Sequence, residues 1–312
     1  MKNFFLSICI FFICSTTYAA EKLTVLLDWF ANPDHAPLFV AEQQGFFKEV
    51  GLEVELIGPA DPADPPKLVA AGKADIAITY EPQLIEQIDQ GLPLVRIATL
   101  IDKPLSCITV LKNSSIHSIN DLKSKRIGYS SEGVTGIVLT AMLENHGINL
   151  HDVQAINVHY DLTQALLAKK IDAVTGMMRT FEVIQLELTG HPARVFLPEK
   201  NGVPTYNELI LVINKKNRAD KRFPKFVAAL QKGVNYLQKH PAEEWQQFAK
   251  LHPELNDALN QRAWFATLPY FAHNPVEFNS HEWQAFAKFM QKYGLIKEVR
   301  PISDYAIRLN PI

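Results

Sequence analysis

Short β-rich apolar runs alternate with helical stretches through the first two thirds of this 312-residue chain, and that alternation constrains its fold more than any other feature. Thr24 to Phe30, Leu52 to Ile57, Asp75 to Tyr80 and Leu94 to Leu100 read as strands. Between them lie a helix opened by Pro37, a short helix capped by Asp64 and ending at Gly72, and a helix from Glu81 to Gln90 closed by Gly91. A strand–helix–strand rhythm calls for a mainly parallel sheet covered by helices.

A second unit of the same kind opens near Lys103-Pro104. Strands are expected over Leu105–Leu111, Lys125–Tyr129, Ala155–Val158 and Asp172–Met177, with helices over Ile137–His146, Leu162–Ala168 and Thr180–Leu188. Ala71-Gly72-Lys73-Ala74-Asp75-Ile76-Ala77 shares its grammar with Ala168-Lys169-Lys170-Ile171-Asp172-Ala173-Val174: a helix end, a basic residue, an Asp, then a buried strand. The repeat is faint, but one copy falls in each unit, and two α/β lobes of similar build imply a cleft between them. Lobe 1 is expected over residues 20–103 plus 209–312 and lobe 2 over 104–208, with hinge crossings near 100–104 and 202–209. After the strand Leu209–Ile213 the chain turns helical. Leu230, Val234 and Leu237 form one apolar helical stripe and Trp245, Phe248 and Ala249 another; Trp245, Trp264 and Trp283 are expected in the core, not at a ligand.

Lys2, the apolar run Phe4–Cys14 and the small residues before Ala19 read as a secretory signal peptide over residues 1–19. The run is short for a membrane span, and Phe11-Phe12-Ile13 before Cys14 is no lipobox. Removing it takes away Lys2, leaving 30 basic against 33 acidic residues, a balance that gives no reason to expect nucleic acid as a partner. Only Cys107 then remains of the three cysteines, without a disulfide or zinc partner, in a strand that buries it. The expected product is a soluble, exported, monomeric protein.

The stretch Leu26 to Val40 is the densest in chemistry. A strand runs into a loop carrying Asp28, Trp29 and His35, with Asn32-Pro33-Asp34 as turn residues. Polar and aromatic loops at the carboxyl ends of strands are where open α/β sheets bind small molecules, so Asp28, Trp29 and His35 are expected to face a ligand. A packed Trp beside a helix cap is the alternative. Ser130-Ser131-Glu132-Gly133 offers backbone N–H groups at a helix start, either to a ligand or as an ordinary capping turn. No nucleophile elbow, zincin helix or Walker loop is present, and the histidines lack metal-ligand spacing. A binding protein with no catalytic set and no cofactor fits better than an enzyme.

Leu27-Asp28-Trp29-Phe30-Ala31-Asn32-Pro33-Asp34-His35, Gly45-Phe46-Phe47-Lys48, Gly72-Lys73-Ala74-Asp75, Ile127-Gly128-Tyr129 and Val203-Pro204-Thr205-Tyr206-Asn207-Glu208-Leu209 resemble the thiamine-pyrimidine family. That family joins formylaminopyrimidine-binding proteins of ABC importers to the yeast-type hydroxymethylpyrimidine phosphate synthase. The resemblance implies a type II-like, venus-flytrap periplasmic binding protein: α/β, two-lobed, with mainly parallel sheets and flanking helices.

The two branches imply different functions. In the synthase a Lys holds pyridoxal phosphate and a nearby His is consumed; those positions hold Thr79 and Gln83 here. The synthase's cysteine cluster is replaced by Tyr206-Asn207-Glu208. The implied function is therefore capture of a formylaminopyrimidine or hydroxymethylpyrimidine in the periplasm, for an ABC permease and its ATPase in thiamine biosynthesis or salvage. Trp29 and Tyr80 suit stacking on such a ring; Asp28, Glu182 or Glu208 suits its exocyclic amine. His35 is placed to bond a ring substituent, Ser130, Ser131 and Glu132 to close over the ligand from the other lobe, and Tyr206, at the hinge, to bind the ligand in either way. For Glu182 a surface helix position is the alternative. Proteins for sulfonate or nitrate share the weaker motifs but want a cationic pocket, and no Arg or Lys stands in the Asp28–His35 or Ser130–Thr135 loops.

Overall fold

The computed structural model describes residues 20–309 except Ser131, with only the backbone given for 132–135. The expected signal peptide, Ser131 and the Glu132 side chain therefore lie outside the described residues. None of the described helices is long and apolar enough to cross a membrane.

The chain begins with β1 (Glu21–Leu26), α1 (Ala36–Gln43), α2 (Phe46–Glu49), β2 (Leu52–Ile57), α3 (Pro65–Ala70), β3 (Ile76–Thr79), α4 (Glu81–Asp89) and β4 (Leu94–Ile101). It then crosses to β5 (Ser106–Leu111), β6 (Arg126–Tyr129), α5 (Glu132–Glu144), β7 (Gln154–Asn157), α6 (Leu162–Leu167), β8 (Ala173–Met178), α7 (Glu182–Leu188) and β9 (Ala193–Phe196). It returns through β10 (Leu209–Asn214) and ends in α8 (Arg222–Lys239), α9 (Pro241–Leu251), α10 (Ala258–Thr267) and α11 (Ser280–Lys292).

Among the described residues the strands form two five-stranded sheets, ordered β2-β1-β3-β10-β4 and β7-β6-β8-β5-β9. In each sheet four strands run one way, and one inserted strand, β10 or β5, runs against its two neighbours. The inserted strand is in each case the first after a crossing. By position, β6, β7, β8, β5 and β9 are the counterparts of β1, β2, β3, β10 and β4. The fold is a two-lobed α/β architecture, as the strand–helix rhythm implies.

The faint repeat has a structural cause. Asp75 precedes β3 and accepts the Thr24 N–H of β1 at 2.9 Å, while its other oxygen takes the Arg222 guanidinium at 2.8 Å. Asp172 precedes β8 and accepts the Arg126 N–H of β6 at 2.9 Å, its other oxygen taking the Arg126 guanidinium at 2.8 Å. Each Asp satisfies a strand N–H that the parallel ladder leaves unpaired. Asp64 occupies the cap position of α3, but its side chain makes no cap bond there; Asp61 instead accepts the Ala63 N–H at 2.8 Å.

Helices α8 and α9 cover the first sheet with a stripe of Phe223, Phe226, Val227, Leu230, Val234, Trp245 and Phe248. Trp245, Trp264 and Trp283 are buried, as expected of core residues, and Cys107 is buried in β5. Helices α1 and α8 approach closely at Gly233, where a Cβ would stand 2.5 Å from the Pro37 carbonyl oxygen and 2.9 Å from the Ala41 Cβ.

The crossings are tied by buried carboxylates. Glu208, just before β10, accepts the N–H groups of Leu105 and Ser106 at the start of β5. Glu81 opens α4 and accepts the Asn207 N–H at 2.7 Å. Burial pushes Glu208 up to about 7 and Glu81 up to about 8, against the pull of those N–H groups.

Two expectations follow. Gly233→Ala gains helix propensity but forces α1 away from α8, for a net loss of about 1–3 kcal/mol, measured as a lower urea midpoint; an unchanged midpoint would show that the helices separate freely. For pH, the folded state holds protons on Glu81 and Glu208 that the unfolded chain has released, so stability falls as pH rises from about 4.5 to about 8. Carboxylates held low, such as Asp172 and Asp220, act below that window. The urea midpoint should drop between pH 5 and pH 8, and less so in Glu208→Gln, which keeps an acceptor oxygen; a rise over that interval contradicts this assignment.

Candidate functional site

A small cavity of about 30 Å³ lies between the lobes. Its walls are Asp28, Trp29, Asn32, Asp34, His35 and Tyr80 from lobe 1, and Ser130, Leu162, Gly176, Met178, Phe181 and Glu182 from lobe 2. The lobe 1 groups follow β1 and β3; most of the lobe 2 groups stand on or after their counterparts β6 and β8. The cavity thus sits at the carboxyl ends of equivalent strands in both sheets, where α/β sheets leave room for a ligand.

The loop after β1 folds around its own caps. The Asn32 side chain accepts the Asp34 N–H at 2.8 Å, and Pro33 to His35 form a single turn of 3-10 helix leading into α1. That turn sends His35 back toward Asp28, where Nε2 lies 2.8 Å from Oδ1. The ring's Nδ1 accepts the Asn32 N–H at 3.4 Å, so the Nε2–H is the one that donates to Asp28. The second Asp28 oxygen accepts the Tyr80 hydroxyl at 2.7 Å. Asp28 and His35 are buried, and Trp29 and Tyr80 are half-buried.

Asp34 is buried beside them and accepts the Thr267 hydroxyl from α10 at 2.7 Å and the Thr180 hydroxyl from lobe 2 at 3.4 Å. Burial raises its carboxyl to about 6, eased by Thr267 and His35 and aggravated by Asp28. Glu182, at the first turn of α7, has one oxygen on the Met178 N–H at 2.8 Å. Burial raises it to about 7, and the nearby Asp34 and Asp28 carboxylates add to the rise. Gly176, with φ of +96°, forms a bulge in β8 where the ladder with β5 slips by one residue. Three carboxylates and one imidazole therefore face the cavity, with no Lys or Arg among its described lining residues. Among the described residues no group of three or more His, Cys, Asp or Glu is arranged to hold a metal ion.

Of the residues singled out by sequence, Asp28, Trp29, His35, Tyr80, Ser130 and Glu182 come together at this cavity. Glu182 is buried, not on the surface. Tyr206 and Glu208 do not line it. Tyr206 is buried in the core against Phe286, and Glu208 is engaged by the crossing amides. Both lie on the second crossing, where Glu208 satisfies the backbone at the start of β5 and Tyr206 packs into the core. Asp34 also lines the cavity; in the sequence it reads as a turn residue, and its place beside His35 in Asn-Pro-Asp-His is the signal for it.

Residues 32–244 match the family described as NMT1/THI5 like. A protein of Haemophilus influenzae named for thiamine biosynthesis is 47% identical over 94% of each chain. The formylaminopyrimidine-binding protein of Halalkalibacterium halodurans is 32% identical, over 77% of this chain and 73% of that one. The 4-amino-5-hydroxymethyl-2-methylpyrimidine phosphate synthase of Uromyces fabae is 27% identical, over 90% of this chain and 85% of its own. In three dimensions the alkanesulfonate-binding protein SsuA of Xanthomonas axonopodis superposes with a TM-score of 0.74 at 15% identity, over 94% of this chain and all of that one. That likeness is one of fold: two lobes around a cleft, in the manner of periplasmic binding proteins. With a match over most of its length and relatives that span nearly all of it, this chain belongs to the NMT1/THI5-like family.

Proposed function

We propose that this protein is the extracytoplasmic binding component of an ABC importer and captures a methylated aminopyrimidine precursor of thiamine. The observation that carries this reading is the make-up of the cleft: an aromatic wall of Trp29 and Tyr80 beside the carboxylates of Asp28, Asp34 and Glu182. An aminopyrimidine has a flat face to stack and an exocyclic amine to donate. A ring–aromatic contact contributes about 1–3 kcal/mol, and an N–H to a carboxylate is a strong, charge-assisted bond. A sulfonate or nitrate would meet three carboxylates and no cation. The formylaminopyrimidine-binding relative supports the pyrimidine, and the N-terminal Lys2–Ala19 pattern supports export.

The synthase relatives supply the second reading. Against it, Thr79 donates to Gln83 at 2.7 Å, both side chains are buried, and neither lines the cavity. No amine stands there to form a Schiff base.

Binding requires movement. The cavity has room for about one water, well below the ~300 Å³ of small-molecule pockets, so the lobes part to admit a ring and close over it.

Thermal shift should discriminate these readings. Formylaminopyrimidine or 4-amino-5-hydroxymethyl-2-methylpyrimidine should raise Tm, while taurine and nitrate should not. Stabilisation by an anion alone would displace the pyrimidine assignment. Trp29→Ala should lower pyrimidine affinity at least tenfold while the unliganded protein stays folded; global unfolding would mark Trp29 as core. Incubation with pyridoxal phosphate and iron should yield no pyrimidine product, and a product would establish the synthase reading.

A further inference from the structure

Beyond the cavity walls, one side chain of lobe 2 is clasped by lobe 1. Tyr160 lies between β7 and α6. Its ring centroid is 4.2 Å from that of Phe30 and 4.6 Å from that of Trp29, and its hydroxyl donates to the Pro59 carbonyl at 2.7 Å. These partners stand on the loops after β1 and β2, across the cleft from Tyr160. Trp29 lines the cavity and Tyr160 does not, so Trp29 is held between the two.

The backbone that presents Tyr160 is itself unusual. His159 adopts a φ of +49°, a left-handed conformation that non-glycine residues rarely take. It is held there by the Asn157 side chain, which accepts the His159 N–H at 2.9 Å, while the Asp161 N–H returns to the Val158 carbonyl at 2.9 Å. Strain kept in place by such bonds often marks a residue whose direction matters. Apolar packing of α4 on α5 also joins the lobes, but the other polar links across the cleft are weaker in kind. Arg262 and Glu187 pair at 2.8 Å with both side chains about half exposed, and His159 stands 4.0 Å from Asp61. Exposed ion pairs contribute little. The Thr180–Asp34 bond is long at 3.4 Å.

We propose that Tyr160 is a latch: its ring and hydroxyl hold the lobes shut and fix Trp29 against a bound ring, and so set how long a ligand stays. The latch acts on Trp29, not on the ligand directly, which makes Tyr160 a positioning residue. Its ligand arm rests on the pyrimidine-binding reading; its closure arm does not.

Small-angle scattering of the unliganded protein should give a larger radius of gyration for Tyr160→Ala than for the wild type, with Arg262→Ala unchanged. Stopped-flow tryptophan fluorescence with 4-amino-5-hydroxymethyl-2-methylpyrimidine should give a dissociation rate about three- to tenfold faster for Tyr160→Phe, which loses one neutral hydrogen bond. For Tyr160→Ala, which loses the aromatic pairs as well, the increase should be about thirty- to a hundredfold, with a much smaller change in the association rate. Circular dichroism confirms folding, and Tyr160→Phe carries the test if the alanine variant does not fold. A Tyr160→Ala protein as compact as the wild type, with the same dissociation rate, overturns the latch. Should the wild type bind neither pyrimidine probe, the functional reading fails while scattering still decides the latch.

Discussion

A carboxylate out of water is costly unless both its oxygens are occupied, and the buried Asp28 is where this chain meets that constraint first. His35 takes one oxygen at 2.8 Å and the Tyr80 hydroxyl takes the other at 2.7 Å. For His35 to arrive there, the loop must turn back within seven residues, which is what Asn32, Pro33 and the 3-10 turn accomplish. For Tyr80 to arrive, β3 must lie beside β1, and Asp75 secures that pairing by accepting the Thr24 N–H. Satisfying one acid therefore fixes the loop, the strand neighbour and the position of Trp29 between them.

The second lobe repeats the scaffold without repeating the chemistry. Asp172 and β6 stand as Asp75 and β1 do, but Ser130 follows β6 where the Asp28 loop follows β1, and Glu182 follows β8 where Tyr80 follows β3. Equivalent strand ends thus supply an imidazole, aromatic rings and two acids from one side, and a hydroxyl, a thioether, Phe181 and one acid from the other. The inserted strands β5 and β10 are each entered directly from a crossing, and Glu208, at the end of one crossing, holds the amides at the end of the other. A buried acid thus holds the two connections between the sheets side by side.

This division explains what was legible in the residues. Strand–helix rhythm follows from local periodicity, so the two α/β units, the counterpart Asp residues and the core places of Trp245, Trp264 and Trp283 could be read directly. The Asp28–His35 loop was readable because its partners are close in sequence. Tyr206 and Glu208 looked equally suited to a ligand, but whether a side chain before a strand points to the cleft or to the neighbouring crossing depends on β5, a hundred residues away. Asp34 was overlooked because its role needs Thr267 and Thr180, each from a distant helix or loop. Tyr160 carries no motif at all. Its meaning appears only when the β7–α6 loop is set against the loops after β1 and β2.

Charge then bears on how such a cleft opens and closes. With the lobes together, burial lifts Asp34 to about 6 and Glu182 to about 7, so near neutral pH each acid pays in desolvation or takes up a proton. The His35 ring N–H that faces the cleft is committed to Asp28. A ligand that brings N–H donors offsets this penalty only when both lobes contact it, because Asp34 stands in one lobe and Glu182 in the other. Its affinity for the closed form therefore exceeds its affinity for the open form, which is the condition for a ligand to shift that equilibrium. On the proposed reading, an anion meets no Lys or Arg among the described lining residues to offset its own desolvation. If the proposed function holds, selectivity and closure share one source: the same acids that make an empty closed cleft costly favour the ligand that closes it.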